Sequence, residues 1–375
     1  MSNEPARWAG RIRQDVQSMH AYAVQDAHGM VKLAAMENPH RLPAGLQAQL
    51  GQRLGALALN RYPDARVNDL RAALAVHAGM PAGHALMLGN GSDELISLLA
   101  MACDLPPDAS GRAACILAPV PGFVMYGLSA QLQGLQFVGV PLTPEFELDE
   151  GAMLDAIARH RPALVYLAYP NNPTANLWDD AVIARIIAAV GAQGALVVMD
   201  EAYQPFSSRS YIDRIRSDPA AHSHVLLLRT LSKFGLAGVR IGYLLGPQAL
   251  VAEIDKVRPP YNVSVLNYEC ALFALEHAEV FAAQATELRS QRRMMQEALA
   301  DMPGVRAWHS EANMILLRVN GPGERAQPVF DGLRQRGVLV KNVSRMHSLL
   351  VNCLRLTVGL ADENARLLAA LEQSL

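Results

Sequence analysis

Lys233 lies in the run Arg229-Thr230-Leu231-Ser232-Lys233-Phe234-Gly235, which continues to Arg240 and directly follows the apolar stretch 225–228. A lysine at the end of a buried strand meets surroundings that favour its neutral form, and a neutral amine is the nucleophile that forms a Schiff base with a carbonyl cofactor. Thr230, Ser232 and Arg240 add two hydroxyls and a planar guanidinium, a donor set suited to a phosphate beside that amine. Taken alone, the same run also describes a strand-to-loop turn with a solvated lysine.

Asp200 closes the apolar run Leu196-Val197-Val198-Met199 and precedes Glu201, Ala202 and Tyr203. Ligands of open α/β sheets bind at the carboxyl ends of strands, and a carboxylate buried there needs a cationic partner. A protonated ring nitrogen is such a partner, with Tyr203 one turn on to hydrogen-bond a phenolic ring oxygen; an aspartate capping a helix is the alternative. Asn172, in Tyr169-Pro170-Asn171-Asn172-Pro173-Thr174, is aimed by prolines that restrict the backbone and can donate to the same oxygen. A plain turn has these letters as well. Leu88-Gly89-Asn90-Gly91-Ser92-Asp93 reads as a glycine turn opening a helix, either an anion site built from the helix-start amides or a simply capped helix with Asp93 in its first turn. Phe123 stands where an aromatic ring can stack on a flat ligand.

The elements that must hold these residues alternate along the chain. Apolar segments at 114–118, 137–140, 164–168, 196–199, 225–228 and 241–245 are separated by helical patterns, which predicts a mainly parallel sheet wrapped by helices. After Pro259-Pro260-Tyr261-Asn262 the pattern changes to one long helix over about 265–301, strands at 314–319, 338–341 and 354–358, and a closing helix from Asp362. The expected organisation is an N-terminal arm joined to the small domain (1–50), a large domain (51–262) and a small C-terminal α+β domain (263–375).

Glycine loop, aromatic, Asn-Pro-Thr, strand-Asp-x-x-Tyr and Ser-Lys-x6-Arg, in that order, resemble the pyridoxal-phosphate aminotransferases of fold type I. Within them the likeness is to the histidinol-phosphate aminotransferases, carried by Gly29-Met30-Val31-Lys32-Leu33, Met36-Glu37-Asn38-Pro39, Asn60-Arg61-Tyr62-Pro63-Asp64, Gly337-Val338-Leu339-Val340-Lys341-Asn342 and Asn352-Cys353-Leu354-Arg355-Leu356-Thr357. The resemblance implies an α/β fold and a pyridoxal 5'-phosphate cofactor linked to Lys233. It also implies that Asp200 faces the ring nitrogen, that Asn172 and Tyr203 face the ring oxygen, and that Phe123 stacks. Ser92, Asp93, Thr230, Ser232 and Arg240 become the phosphate cup, completed by Tyr62 from the neighbouring subunit of a homodimer. Arg355, Lys341, Tyr22 and Asn38 become substrate residues, with Arg355 taking the carboxylate of 2-oxoglutarate and glutamate, and Lys341 and Tyr22 the phosphate of histidinol phosphate. Three positions depart from the family pattern: Phe123 where Tyr is frequent, Ala175 where Gly is usual, and Lys341 where Arg occurs.

The remaining features agree with a biosynthetic enzyme of this kind. With 375 residues, 51% of them hydrophobic and 18% charged, the chain can bury a large core. A formal charge of −2 leaves no footprint for nucleic acid or an anionic membrane. Residues 113–144 carry no charge, but prolines and glycines break them into two strands and a helix, which excludes a membrane span. The four cysteines are scattered and the histidines have no ligand spacing, so neither a disulfide framework nor a metal site is expected. With no apolar leader among the first residues, the expected location is the cytoplasm. Transamination of a phosphate ester with 2-oxoglutarate is the function these readings imply; an aromatic aminotransferase, a phosphate-ester decarboxylase of the same fold and a cofactor-binding regulator remain alternatives.

Overall fold

The structure is a computed structural model that describes residues 9–19, 21, 25–107, 111 and 113–375. A short strand β1 (Val31–Lys32) precedes the seven strands of the central sheet. These are β2 (His84–Asn90), β3 (Cys115–Val120), β4 (Gln136–Pro141), β5 (Leu164–Ala168), β6 (Leu196–Asp200), β7 (Val225–Thr230) and β8 (Ile241–Pro247). Their spatial order is β2-β8-β7-β6-β5-β3-β4, and β8 alone runs against its neighbours. The predicted mainly parallel sheet is therefore present, with two differences. β2 was not expected as a strand, and its partner β8 is antiparallel.

Every residue of β5 and β7 is buried, as continuous apolar strands covered by helices on both faces require. Val165, Leu167, Val197, Met199, Val225 and Leu227 are no more than 1% exposed and form the middle of the core. With apolar side chains covering the strands, polar groups gather at the strand ends. β2, β5, β6 and β7 all finish at the same edge, so the loops after them share a crevice.

The C-terminal third builds β9 (Val305–Ala307), β10 (Met314–Val319), β11 (Val338–Leu339), β12 (Lys341–Asn342) and β13 (Cys353–Thr357). β12-β13-β10-β9 form an antiparallel sheet, while β11 pairs in parallel with β1. The single strand predicted over 338–341 is thus divided at Val340. Val338, Leu339 and Val340 are all buried, so the chain changes partners there instead of alternating in and out along one ladder. The long helix predicted over 265–301 is two, Val265–Glu276 and Ala278–Ala300, because His277 takes φ −118° and ψ 35° without any proline or glycine to signal it. A separate apolar cluster joins Val31, Leu33, Leu288, Leu299, Ile315, Leu317, Phe330, Leu354, Leu356 and Leu367, which ties β1 of the N-terminal arm to the C-terminal sheet.

Candidate functional site

The turn between β2 and the helix Ser92–Ala102 lies directly against Arg240. Gly91 has φ +79°, and a Cβ there would sit 2.4 Å from the Arg240 guanidinium, so glycine alone lets the two segments close. Gly242 is pressed just as closely, since its Cβ would meet the Gly91 backbone at 2.6 Å. The result is a compact polar cluster. Thr230 donates to Ser232 at 3.0 Å, Arg240 reaches Ser232 at 3.5 Å, and Arg240 pairs with Asp93 at 3.2 Å. Asp93 therefore enters the cluster as the partner that holds Arg240. Its carboxylate faces the guanidinium, and the residue lines the cavity beside Ser92.

At the end of β6 the Asp200 carboxylate is buried and held by two donors, the Tyr126 hydroxyl at 2.6 Å and the Ala202 amide at 3.0 Å. Burial pushes its pKa up to about 6, against the opposing pull of those hydrogen bonds. Asn172 donates to the Tyr203 hydroxyl at 3.0 Å and accepts from the Arg355 guanidinium at 2.7 Å. Arg355 also donates to the Ala34 carbonyl at 3.0 Å. In β13 the alternation expected from sequence holds, with Leu354 and Leu356 in the apolar cluster and Arg355 directed across to the central sheet. Burial raises the Tyr203 pKa well above that of an ordinary phenol.

Lys233 lies in a wide helical turn, Ser232–Leu236, immediately after β7, where its amine donates to the Ala35 carbonyl at 3.3 Å. The amine is 5.8 Å from the centre of the Tyr203 ring. Desolvation, and then the nearby Arg355 cation, push its pKa down to about 8, while Glu37 and Asp93 pull weakly the other way. A cavity of about 470 Å³ is lined by Ser92, Phe123, Asn172, Asp200, Tyr203, Thr230, Ser232, Lys233 and Arg240, and closed on one side by Lys32, Ala35 and Glu37. Among the described residues no cluster of His, Cys, Asp or Glu could hold a metal ion.

Three of the expected site residues, Asn38, Tyr62 and Lys341, do not line this cavity. Asn38 spends its amide on Gln284 at 3.0 Å and the Phe234 carbonyl, so its side chain packs the segments behind Lys233 and does not line the cavity. Tyr62 is 77% exposed and stacked on Tyr261 at 4.6 Å, outside its own chain's cavity. Lys341 is half-buried on β12, in register with Arg355 on β13, and among the described residues no carboxylate pairs with it. Tyr22 lies outside the described residues. Ala175 keeps the loop after Asn172 in the left-handed region, φ +64°, that glycine adopts freely, and its buried side chain packs with Met36, Tyr203 and Met314.

Sequence reasoning passed over Tyr126 and the buried pair of Glu201 with Arg229, whose charged atoms approach to 2.8 Å. The spacing of Phe123 and Tyr126 along one helical turn was the available sign of the first. Lys32 and Glu37, paired at 2.8 Å at the cavity's rim, were also missed as lining residues.

The arrangement of phosphate-sized polar cluster, buried carboxylate and desolvated lysine around one crevice matches a known class of enzyme. The model of the family "Aminotransferase class I and II" matches residues 29–371. The chain is 72% identical to the histidinol-phosphate aminotransferase of Polaromonas naphthalenivorans, over 97% of its own length and 96% of that protein's. It is 68% identical to the histidinol-phosphate aminotransferase of Methylibium petroleiphilum, with 98% and 95% covered. The crystal structure of the Sinorhizobium meliloti histidinol-phosphate aminotransferase in complex with pyridoxal-5'-phosphate has the same fold, with a TM-score of 0.82, 24% identity and 97% of each chain covered. The chain belongs to the class I and II aminotransferases and, within them, to the histidinol-phosphate aminotransferase family.

The burial of Asp200 has a measurable cost in the cofactor-free protein. Its carboxyl titrates near 6 when folded and near 3.8 when solvated, so the folded state binds the proton more tightly and loses stability as pH rises between those values. Asp200→Asn cannot ionise and escapes this loss. Thermal unfolding of the cofactor-free variant should show a stability advantage over the parent that grows by up to about 3 kcal/mol from pH 4 to 6.5 and then levels off. A difference that does not change with pH would contradict the buried, raised carboxyl.

Proposed function

We propose that this chain is a pyridoxal-phosphate-dependent transaminase that passes the amino group of histidinol phosphate to 2-oxoglutarate, giving imidazole-acetol phosphate and glutamate. The observation that carries the reading is the convergence, in one cavity, of a lysine amine held near neutrality, a buried carboxylate and a cationic cluster rich in hydroxyls. The residues present fit the cofactor. Arg240, Thr230, Ser232 and Ser92 supply donors for its phosphate, and Asp200 retains carboxylate lone pairs for a ring N–H. Asn172 and Tyr203 converge on one point suited to a ring oxygen, and Phe123 forms a wall of the cavity.

When bound, the cofactor supplies an electrophilic carbonyl and an electron-withdrawing ring. The chain's own groups do the rest. Lys233, with its pKa near 8, has an appreciable neutral fraction at physiological pH and is the base that takes the proton from the substrate Cα. Asp200 holds the ring nitrogen protonated, and Arg240 anchors the phosphate end so that the reacting atoms stay beside Lys233. Arg355 takes the carboxylate of 2-oxoglutarate or glutamate. Lys341 and Tyr22 take the phosphate of histidinol phosphate. A homodimer in the cytoplasm, with Tyr62 reaching the neighbouring subunit's phosphate site, completes the proposal; the exposure of Tyr62 and its place outside its own cavity support it. The proposed domain division, 1–50 with 263–375 against 51–262, is supported by the separate seven-stranded and four-stranded sheets and by the pairing of β1 with β11.

Lys233→Ala should lose turnover by several orders of magnitude, and borohydride treatment of the loaded parent should attach the cofactor to the peptide containing Lys233. Attachment to a different lysine would overturn the site. The two substrate contacts separate kinetically. Lys341→Ala should raise KM for histidinol phosphate roughly tenfold, as loss of one charge-assisted contact of about 1.5 kcal/mol implies, and leave that for glutamate nearly unchanged. Arg355→Ala should damage chiefly the glutamate half-reaction. Equal losses for both substrates in the Lys341 variant would refute the phosphate pocket.

A further inference from the structure

The support behind Asp200 is more elaborate than a carboxylate facing a ligand requires. Tyr126, the third residue after Phe123, projects from the first turn of the helix Val124–Gln133 and is 2% exposed. Its hydroxyl proton goes to Asp200 Oδ2 at 2.6 Å, while the Ala202 amide occupies Oδ1 at 3.0 Å. Its ring is stacked on Tyr166 of β5, with centres 4.2 Å apart and planes 9° from parallel, and the edge of Phe123 meets it at 5.7 Å. One ring therefore touches the aromatic wall of the cavity, the strand beneath it and the carboxylate.

We propose that Tyr126 is a positioning residue that clamps the Asp200 carboxylate from behind, fixing the orientation and the ionised state that a cofactor ring nitrogen needs. The inference rests on the reading above, in which Asp200 faces that nitrogen. Each carboxylate oxygen has one donor from the protein, so the plane of the group is set and its remaining lone pairs are left for the cavity. The donation also stabilises the charged form where everything else opposes it. The groups around Asp200 are Tyr126 on its helix, Tyr166 on β5, Tyr203 on the next turn, Asp93 on the helix after β2, and Glu201 beside it, the last neutralised by Arg229 of β7. Asp93 and Glu201 disfavour a second negative charge, and the Tyr126 hydroxyl and the Ala202 amide are what counter the desolvation. Tyr166 supplies the internal comparison. Its hydroxyl is equally buried, and among the described residues it has no hydrogen-bond partner.

Tyr126→Phe removes one oxygen and keeps the stacked ring, so thermal unfolding at pH 4, where Asp200 is protonated, should be close to that of the parent. In apoprotein labelled with ¹³Cγ-aspartate, with Asp200→Asn used to assign the signal, the Asp200 carboxyl should titrate about one pH unit higher in Tyr126→Phe. The dissociation constant of pyridoxal phosphate, read by quenching of intrinsic fluorescence at pH 8, should rise roughly tenfold. Tyr166→Phe should change neither quantity. An unchanged titration in Tyr126→Phe overturns the proposal, even with weakened binding, because that pattern marks a packing role. An equal change in Tyr166→Phe overturns it as well. Borohydride labelling of Lys233 in both variants keeps such a failure distinct from a wrong site.

Discussion

Desolvation at the carboxyl edge of the central sheet is the constraint on which the site depends. Apart from Asp200 and Arg229, the latter paired with Glu201, the strands beneath that edge are uncharged and almost wholly excluded from water, and the same dry surroundings act on two groups of opposite sign. Asp200 is pushed up to about 6 and Lys233 down to about 8, so the carboxylate is held as an anion at some cost and the ammonium is brought within reach of neutrality. Both shifts run toward the uncharged form. A base for a carbon-bound proton and an electrostatic anchor for a ring nitrogen thus arise from one physical cause. The difference between them is local: Asp200 has two donors that keep its charge, whereas Lys233 has one carbonyl and a nearby arginine that make its charge less favourable.

The cavity lies beside the contact between the seven-stranded and the four-stranded sheets. The large sheet supplies Asp200, Lys233, Asn172 and the Arg240 cluster, while the small one sends Arg355 across to Asn172. The N-terminal arm forms the third wall. Its strand β1 is tied to β11, and that pairing places the Ala34 and Ala35 carbonyls against the Arg355 guanidinium and the Lys233 amine. An error in packing the arm would therefore be felt directly at the reacting amine, which gives a physical reason for binding the arm by backbone pairing and by Leu33 in the apolar cluster.

The large sheet was legible in the sequence because buried parallel strands are short uncharged runs, and a polar residue closing such a run marks the ligand edge. Asp200, Asn172 and the turn carrying Lys233 were found in that way. Other features depend on contacts that no local pattern encodes. β2 carries histidine, glycine and asparagine among its apolar residues, and it becomes a strand by pairing with β8. The break at His277 and the change of sheet at Val340 are set by tertiary packing and carry no breaker residue. Asn38 belonged to a segment that resembles the family, yet only the geometry reveals that its amide is committed to Gln284. Tyr126 was overlooked for the opposite reason. An aromatic residue on the buried side of a helix reads as core, and it is core, apart from the one oxygen that touches Asp200.

The claim most exposed to test is that burial, and no special bond, tunes the Lys233 amine. Competitive acetylation of the cofactor-free protein across pH, read by mass spectrometry on the peptide containing Lys233 with exposed lysines as internal references, reports the titration of that amine. A midpoint near 8 is predicted, well below the ordinary lysine value of 10.5. A midpoint near 10.5, shared with the exposed lysines, would contradict the account.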